Sequence, residues 1–428
     1  MSAPLFWIWV PLVAAGIIFF ITQPRAAALA GGSVASVLGL VALLVPIDTA
    51  LLLGQVSFKI SSTFQVLGRS FVLGAADGPV LALIYGLAAV WFFGTEAAGV
   101  AVRFVSLGLA IIALLIASIA VEPFLFAAPL LEMAALLVIP LLVLPYQPPR
   151  RGALRFLIYQ TLAMPFILFS GWMLVGVEAS PGDIGLTTQS GVMLGLGFAF
   201  LLAIFPMYNW IPLLAEEASP YAVGFLLWAL PAFTAIFALG FLDRYTWLRT
   251  SPQLSTAIQA AGLLMVASGG IFAAFQRHLG RMMAYAAIVG TGMLILAMTL
   301  GSSTSVEIVF LLLIARGLEL AVWSLGVSTI KLRTEALRFS AVQGLARAYP
   351  VAAIAILLGL LGLLTGAVRT LAVLAMAPEG TKWEWNESPT QTVMLGIGMI
   401  GLFVLGLFPQ LAQPFLSSLP IMFQHIGQ

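Results

Sequence analysis

The sequence predicts an all-α polytopic membrane protein of about 13 transmembrane helices, or 14, with broken helices and two inverted five-helix repeats. Three observations lead there. Of 428 residues, 62% are hydrophobic and 8% charged, with a mean hydropathy of +1.12; a soluble domain is normally about a quarter charged. Apolar runs of about twenty residues, long enough to cross the hydrocarbon, recur along the whole chain. Proline- or glycine-interrupted runs occur in both halves, a pointer to inverted-repeat transporters.

In order, spans are predicted near 5–21, 29–53, 70–94, 98–120, 124–146, 153–176, 189–210, 220–242, 254–275, 281–300, 306–330, 349–376 and 393–412. The first has no basic stretch before it and Arg25 after it. It is therefore read as a retained helix with its N-terminus outside, not as a cleaved signal. Segment 54–68, polar and rich in β-formers, reads as an extended connection or short hairpin. Asp77-Gly78-Pro79 interrupts the next span, and 349–376 is either one long tilted helix or two pieces. Basic clusters stand at Arg150-Arg151-Arg155, Arg277-His278-Arg281 and Lys331-Arg333-Arg338-Arg347. The positive-inside rule puts all three in the cytoplasm, with Lys59 and Arg69 opposite. The resulting division is 1–97 for the N-terminal helices and extended connection, 98–250 for the first five-helix repeat, and 251–428 for the second repeat and C-terminal helix.

The organising stretch is GFAFLLAIFPMYNWIPLLAEEASPYAVGF, residues 197–225. A helix is expected to run to Phe205, after which Pro206, Pro212 and Pro220 interrupt it. At membrane depth the backbone groups freed by a break must be buried in protein or face a water-filled cavity. Such a break reads as an ion-path site; the alternative is a tight loop between two ordinary helices at the surface.

Ionisable residues inside apolar runs are the next signal, because each opposes insertion. Glu132, in PLLEMAALLVIPLLVLP, reads as a proton acceptor or half of an ion pair, and otherwise as a hydrogen-bonded structural carboxyl. Glu122, ten residues earlier, begins the same span and reads as interfacial. Arg316 and Glu319, three residues apart, can meet on one helix face and neutralise each other. Arg369, in LLTGAVRTLAVL, reads as the cationic member of an ion path or as a structural partner of Glu319. Glu216 and Glu217 are either an access funnel or exposed loop acids. Arg103, Asp243 and Arg244 lie at helix ends and need no special role.

Several classes of function are excluded. Cysteine is absent, which removes thiolate metal sites, iron–sulfur ligation and disulfides. His278 and His425 lie in a connection and in the tail, so haem ligation within the membrane is not expected. Glycine clusters such as Ser268-Gly269-Gly270 fit helix packing, not phosphate binding. No nucleophile–base constellation or nucleotide fingerprint is present, so a self-contained enzyme, a bound cofactor and a nucleic-acid partner are not expected.

Several strings resemble the antiporter-like membrane subunits of respiratory complex I and of related multisubunit cation/proton antiporters and membrane-bound hydrogenases. QRHLGRMMAYAAIVGTG at 276–292 is similar to the family's D-L-K-R-L-L-A-Y-S-S-I segment, and FPMYNWIP at 205–212 to F-P-F-H-x-W-L-P at its broken seventh helix. LLEMAALL around Glu132 resembles the fifth-helix segment with a functional glutamate. GLARAYPVAAIAILLGLLGLLTG at 344–366 resembles the twelfth-helix start, and VLGLFPQ at 404–410 the last helix. The resemblance implies a subunit contributing to proton or cation translocation in a bacterial-type inner membrane, with redox chemistry in partner subunits and lipid around it. It places the family's seventh-helix lysine on Leu201, the eighth-helix lysine near Pro231 and the tenth-helix histidine on Gly290. The eleventh-helix lysine becomes Glu319, Arg369 lies within one residue of the twelfth-helix lysine, and a helix is missing near 377–392. Two other readings follow from those losses and from the sequence: a non-conducting scaffold subunit, and a stand-alone secondary transporter.

Overall fold

The computed structural model describes residues 2–53, 56–66, 68–143, 150–179, 183–300, 303–334, 336–359, 364–376, 384–423 and 425–426. Among these, eleven helices are long and apolar enough to cross a membrane, or twelve if one bent pair is a single span. Two of the predicted thirteen spans account for the difference. The first is short: a π turn at Leu5–Trp9 leads into α1 (Val10–Ile18). The other, 349–376, is described as two pieces with 360–363 outside the described residues. Of the stretch 377–392, where a helix is missing, 377–383 lie outside the described residues, 384–388 are not helical, and the next helix begins at Pro389.

After α2 (Pro24–Leu44) the chain is not helical to residue 53 as expected. Ala50–Leu53 and Val56–Lys59 form one antiparallel pair, β1 and β2, and Thr63–Val66 and Arg69–Val72 a second, β3 and β4. Val121–Glu122, β5, adds a third strand to the second pair. The predicted hairpin was thus right in kind but too short. Leu51, Leu52 and Leu53 look like a continuing helix, yet Pro46 and the positive φ of Asp48 end α2 before them.

The remaining helices are α3 (Gly78–Phe93), α4 (Arg103–Ala120), α5 (Ala127–Leu142), α6 (Arg151–Ala179), α7 (Ile184–Leu201), α8 (Trp210–Glu217) and α9 (Pro220–Arg244). They are followed by α10 (Pro252–Phe275), α11 (Leu279–Met298), α12 (Ser303–Lys331), α13 (Pro350–Gly359), α14 (Leu364–Ala375) and α15 (Pro389–Leu407). The segment Phe339–Arg347 meets α13 at 118°. Val373 at the far end of α14 accepts from Gly344 N–H, so this piece returns to the loop that α13 left.

The three basic clusters gather on one face. Arg150 and Lys331 line one cavity, and Phe339 N–H reaches the Arg277 carbonyl. On the opposite face the tail closes on the end of α9, where His425 and Ile426 N–H groups donate to Asp243. Arg69, over the Phe126 ring, belongs to that second face.

Helix α9 is the centre of the bundle: 83% of its apolar window is buried, against 11% for α15. Its Tyr221, Phe225 and Trp228 pack on Trp91 of α3, with Trp91 and Trp228 stacked at 6.0 Å. Tyr221 O–H donates to the Trp91 carbonyl, and only glycine fits at position 94, where a Cβ would stand 2.2 Å from that hydroxyl.

A candidate ion-path site at mid-membrane

The break in the organising stretch comes four residues earlier than expected. Helix α7 stops at Leu201, and Ala203 takes a left-handed φ of 50°. Ala203 N–H bonds the Phe200 carbonyl and Ile204 N–H the Ala199 carbonyl, the pairing that closes a helix around a left-handed residue. Pro206 lies within the gap, Pro212 in the first turn of α8, and Pro220 at the first position of α9, where a missing N–H leaves nothing unpaired. The prolines keep the segments apart; Ala203 makes the turn.

Glu132 lies on α5 ten residues before Leu142, about 15 Å of helix from that end and so near mid-depth. Its Oε1 accepts from Thr161 Oγ1 at 2.7 Å across to α6, while its Oε2 is buried with no partner among the described residues. Glu132 also lines a small cavity of about 10 Å³ together with Gln160, Ile167 and Leu201, room for about one water.

Gln160 and Leu201 also wall a second cavity of about 10 Å³, whose other members include Leu227, Pro231, Thr291 and Arg316. The two cavities therefore share a partition of one amide and one leucine. A carboxylate sits on one side and a guanidinium on the other. The helix end at Leu201 is what brings the broken segment into this partition.

Arg316, near the middle of α12, is buried, and its partner is not Glu319. Its Nε and Nη2 donate to the Leu227 carbonyl at 3.2 and 2.8 Å. That carbonyl is four residues before Pro231, which has no N–H to give it. The guanidinium fork thus takes the place of a helix hydrogen bond. Among the described residues no ion pair within 4.0 Å joins Arg316 to Glu319, although each feels the other's charge. Arg316 Nη1 has no partner among the described residues and lies 2.9 Å from where a Cβ of Gly290 would be. Of three positions where the resemblance expects ionisable side chains, Leu201 and Pro231 line one cavity with this arginine and Gly290 lies against its Nη1.

Arg369 stands apart from these groups. It donates to the Ala274 carbonyl near the end of α10 and lies 5.5 Å from the Phe339 ring, at the face of the basic clusters. Glu216 pairs with Arg281, and Glu217 accepts from Gly152 N–H at 2.8 Å, so each is engaged separately. Sequence reasoning missed Gln160. It was the one amide in LIYQTLAMP, but a search for charges passes over a neutral side chain.

A family model described as NADH:quinone oxidoreductase/Mrp antiporter, TM matches residues 153–376. NADH-quinone oxidoreductase subunit 14 of Thermus thermophilus is 28% identical over 344 residues, 74% of this chain and 73% of that protein. Subunit N of the Geotalea uraniireducens enzyme is 28% identical over 173 residues, and the match spans 36% of its length. Among solved structures, a chain of the membrane-bound sulfane sulfur reductase, an archaeal respiratory membrane complex, superposes with a TM-score of 0.78 at 15% identity, covering 100% of this chain and 98% of that one. A chain of the Mrp complex from Dietzia sp. DQ12-45-1b gives 0.75 at 13% identity, covering 99% and 97%. A chain of respiratory complex I from Thermus thermophilus with bound NADH gives 0.75 at 17%, covering 99% and 100%.

Proposed function

The chain belongs to the NADH:quinone oxidoreductase/Mrp antiporter transmembrane family, and from that premise we propose that it is an antiporter-like subunit contributing to proton or cation translocation in a multisubunit assembly. The structural neighbours are subunits of multisubunit membrane complexes, which supports partners of the same kind: hydrophobic subunits beside it, with lipid on the remaining faces. Redox chemistry belongs to other subunits, and the three basic clusters face the cytoplasm of a bacterial-type inner membrane. The observation that carries the proposal is Glu132 itself: its buried Oε2 has no partner among the described residues, and the residue lines a cavity that borders the broken helix. Glu132 is the proton acceptor in this reading. Gln160 is a neutral hydrogen-bonding step, and Arg316 is a fixed charge that does not release its proton. Glu319 biases Arg316 without pairing with it, and Arg369 acts only at the cytoplasmic edge.

The test is proton pumping by the reconstituted assembly carrying Glu132→Gln. Pumping is expected to collapse while electron transfer continues; unchanged pumping would overturn the role of Glu132. One observation favours a second reading, a non-conducting scaffold: Leu201, Pro231 and Gly290 cannot carry protons, and Arg316 is bound to a backbone carbonyl. Under that reading, neutralising Glu132, Glu319 and Arg369 together leaves coupling intact.

A further inference from the structure

A larger cavity, about 310 Å³, opens on the face of the basic clusters, away from the Glu132 site. Its volume is in the range of small-molecule sites, about 300–1,000 Å³. Two cations line it, Lys331 from the end of α12 and Arg150 before α6. Lys331 Nζ gives one proton to the Ala218 carbonyl at 2.9 Å, which leaves two of its three for another acceptor. One turn back along α12, on the same helix face, Ser328 also lines the cavity. The residue is 97% buried within the protein, and its buried hydroxyl has no hydrogen-bond partner among the described residues. Ser219 and Pro220 complete this side as the start of α9, a 25-residue helix whose N-terminus has no side-chain cap.

An ammonium, a guanidinium, an unsatisfied buried hydroxyl and an uncapped helix start all favour an acceptor-rich anion. The cavity's carboxylate, Glu217, accepts from Gly152 N–H, and its single negative charge offsets one of the two cations that line the cavity. Leu142 and Leu332 supply apolar walls suited to the hydrocarbon next to an ester. We propose that this cavity binds a phosphate group, with Lys331, Ser328 and Arg150 as its ligands. The phosphate comes either from the head of an anionic phospholipid or from the aqueous phase. The proposal does not depend on conduction through Glu132.

The experiment uses the full chain purified in its native assembly and stripped of lipid by detergent. Binding of dioleoyl phosphatidylglycerol is followed by native mass spectrometry, with phosphatidylcholine as the neutral control. Thermal stabilisation by inorganic phosphate is followed in parallel. Lys331→Gln and Arg150→Gln are each expected to weaken binding about fivefold, the effect of one cation near an anionic group. Ser328→Ala is expected to weaken it less. Arg150 is exposed at the rim, so its variant keeps the test valid if Lys331→Gln fails to fold. Variant-sensitive phosphatidylglycerol binding identifies a lipid source, and variant-sensitive stabilisation by inorganic phosphate a soluble one. If neither probe gives a response that the variants alter, the proposal is overturned.

Discussion

Pro231 removes a helix hydrogen bond and Arg316 replaces it, so these two residues form one structural unit across two helices. Arg316→Met leaves the Leu227 carbonyl unpaired in a buried setting and is expected to destabilise the chain by about 1–3 kcal/mol. Pro231→Ala restores the N–H that this carbonyl lost. In a double-mutant cycle, followed by thermal unfolding in detergent, it is expected to recover a measurable part of that loss. Purely additive effects would show that the arginine is held by something else. The pair was invisible in the sequence, where Arg316 has Glu319 three residues away as the obvious partner. A rule of helix spacing names neighbours on one helix, whereas the actual acceptor was created by a proline on another. Glu132 was legible for the opposite reason, since one carboxylate in an apolar run needs no tertiary information to stand out.

At the scale of an element, the turn that ends α7 rests on an alanine in a left-handed conformation, which opposes an L side chain by about 1–2 kcal/mol. Ala203→Gly is expected to raise stability by up to about 1 kcal/mol, read as a higher unfolding temperature, with the helix end unmoved. A lower temperature would mean that the buried methyl packs more favourably than the backbone relaxes. The sequence announced a break here through its prolines and misplaced it, because alanine is the best helix former and no propensity signals a stop. The strands after α2 were partly missed for a related reason: leucine runs serve helix and strand alike.

The start of α11 provides a pH dependence. His278 Nδ1 accepts from Arg281 N–H at 3.3 Å and so caps the helix only while neutral. Burial holds its pKa below the ordinary histidine value of 6.5, with the Glu216 charge opposing that shift. A depressed folded-state pKa means that the folded protein binds fewer protons than the unfolded chain. The contribution is therefore full above pH 6.5 and is lost as pH falls through the lower folded value. Thermal stability is expected to decline on acidification below about pH 6.5, and His278→Asn, which keeps a capping acceptor, to flatten that decline.

Across the whole molecule, the apolar spans and the shared face of the basic clusters were legible, because hydrocarbon imposes length and charge imposes sidedness. The convergence of Leu201, Pro231 and Gly290 on Arg316 was not, since it depends on four helices meeting at one depth. Helices α7, α10 and α15 leave most of their apolar surface uncovered, with 22%, 22% and 11% of their windows buried. These faces suit lipid or neighbouring subunits, which fits a member of a multisubunit family. The central cavities, about 10 Å³ each, have room for about one water, so any ion path through them depends on the partition of Gln160 and Leu201 opening. Gln160→Leu removes the amide from that partition. It is expected to depress pumping as Glu132→Gln does, with little change in the unfolding temperature; pumping at the original rate would remove Gln160 from the path.

The central claim is that Glu132 exchanges a proton with a hydrated interior. Infrared difference spectroscopy of the full chain, titrated between acid and alkaline pH in light and heavy water, measures this at the carboxyl itself. Proton uptake there gives a deuterium-sensitive carboxylic acid band that appears on acidification and is missing in Glu132→Gln. An identical difference spectrum in the variant, or a Glu132 band indifferent to pH and to deuterium, would contradict it.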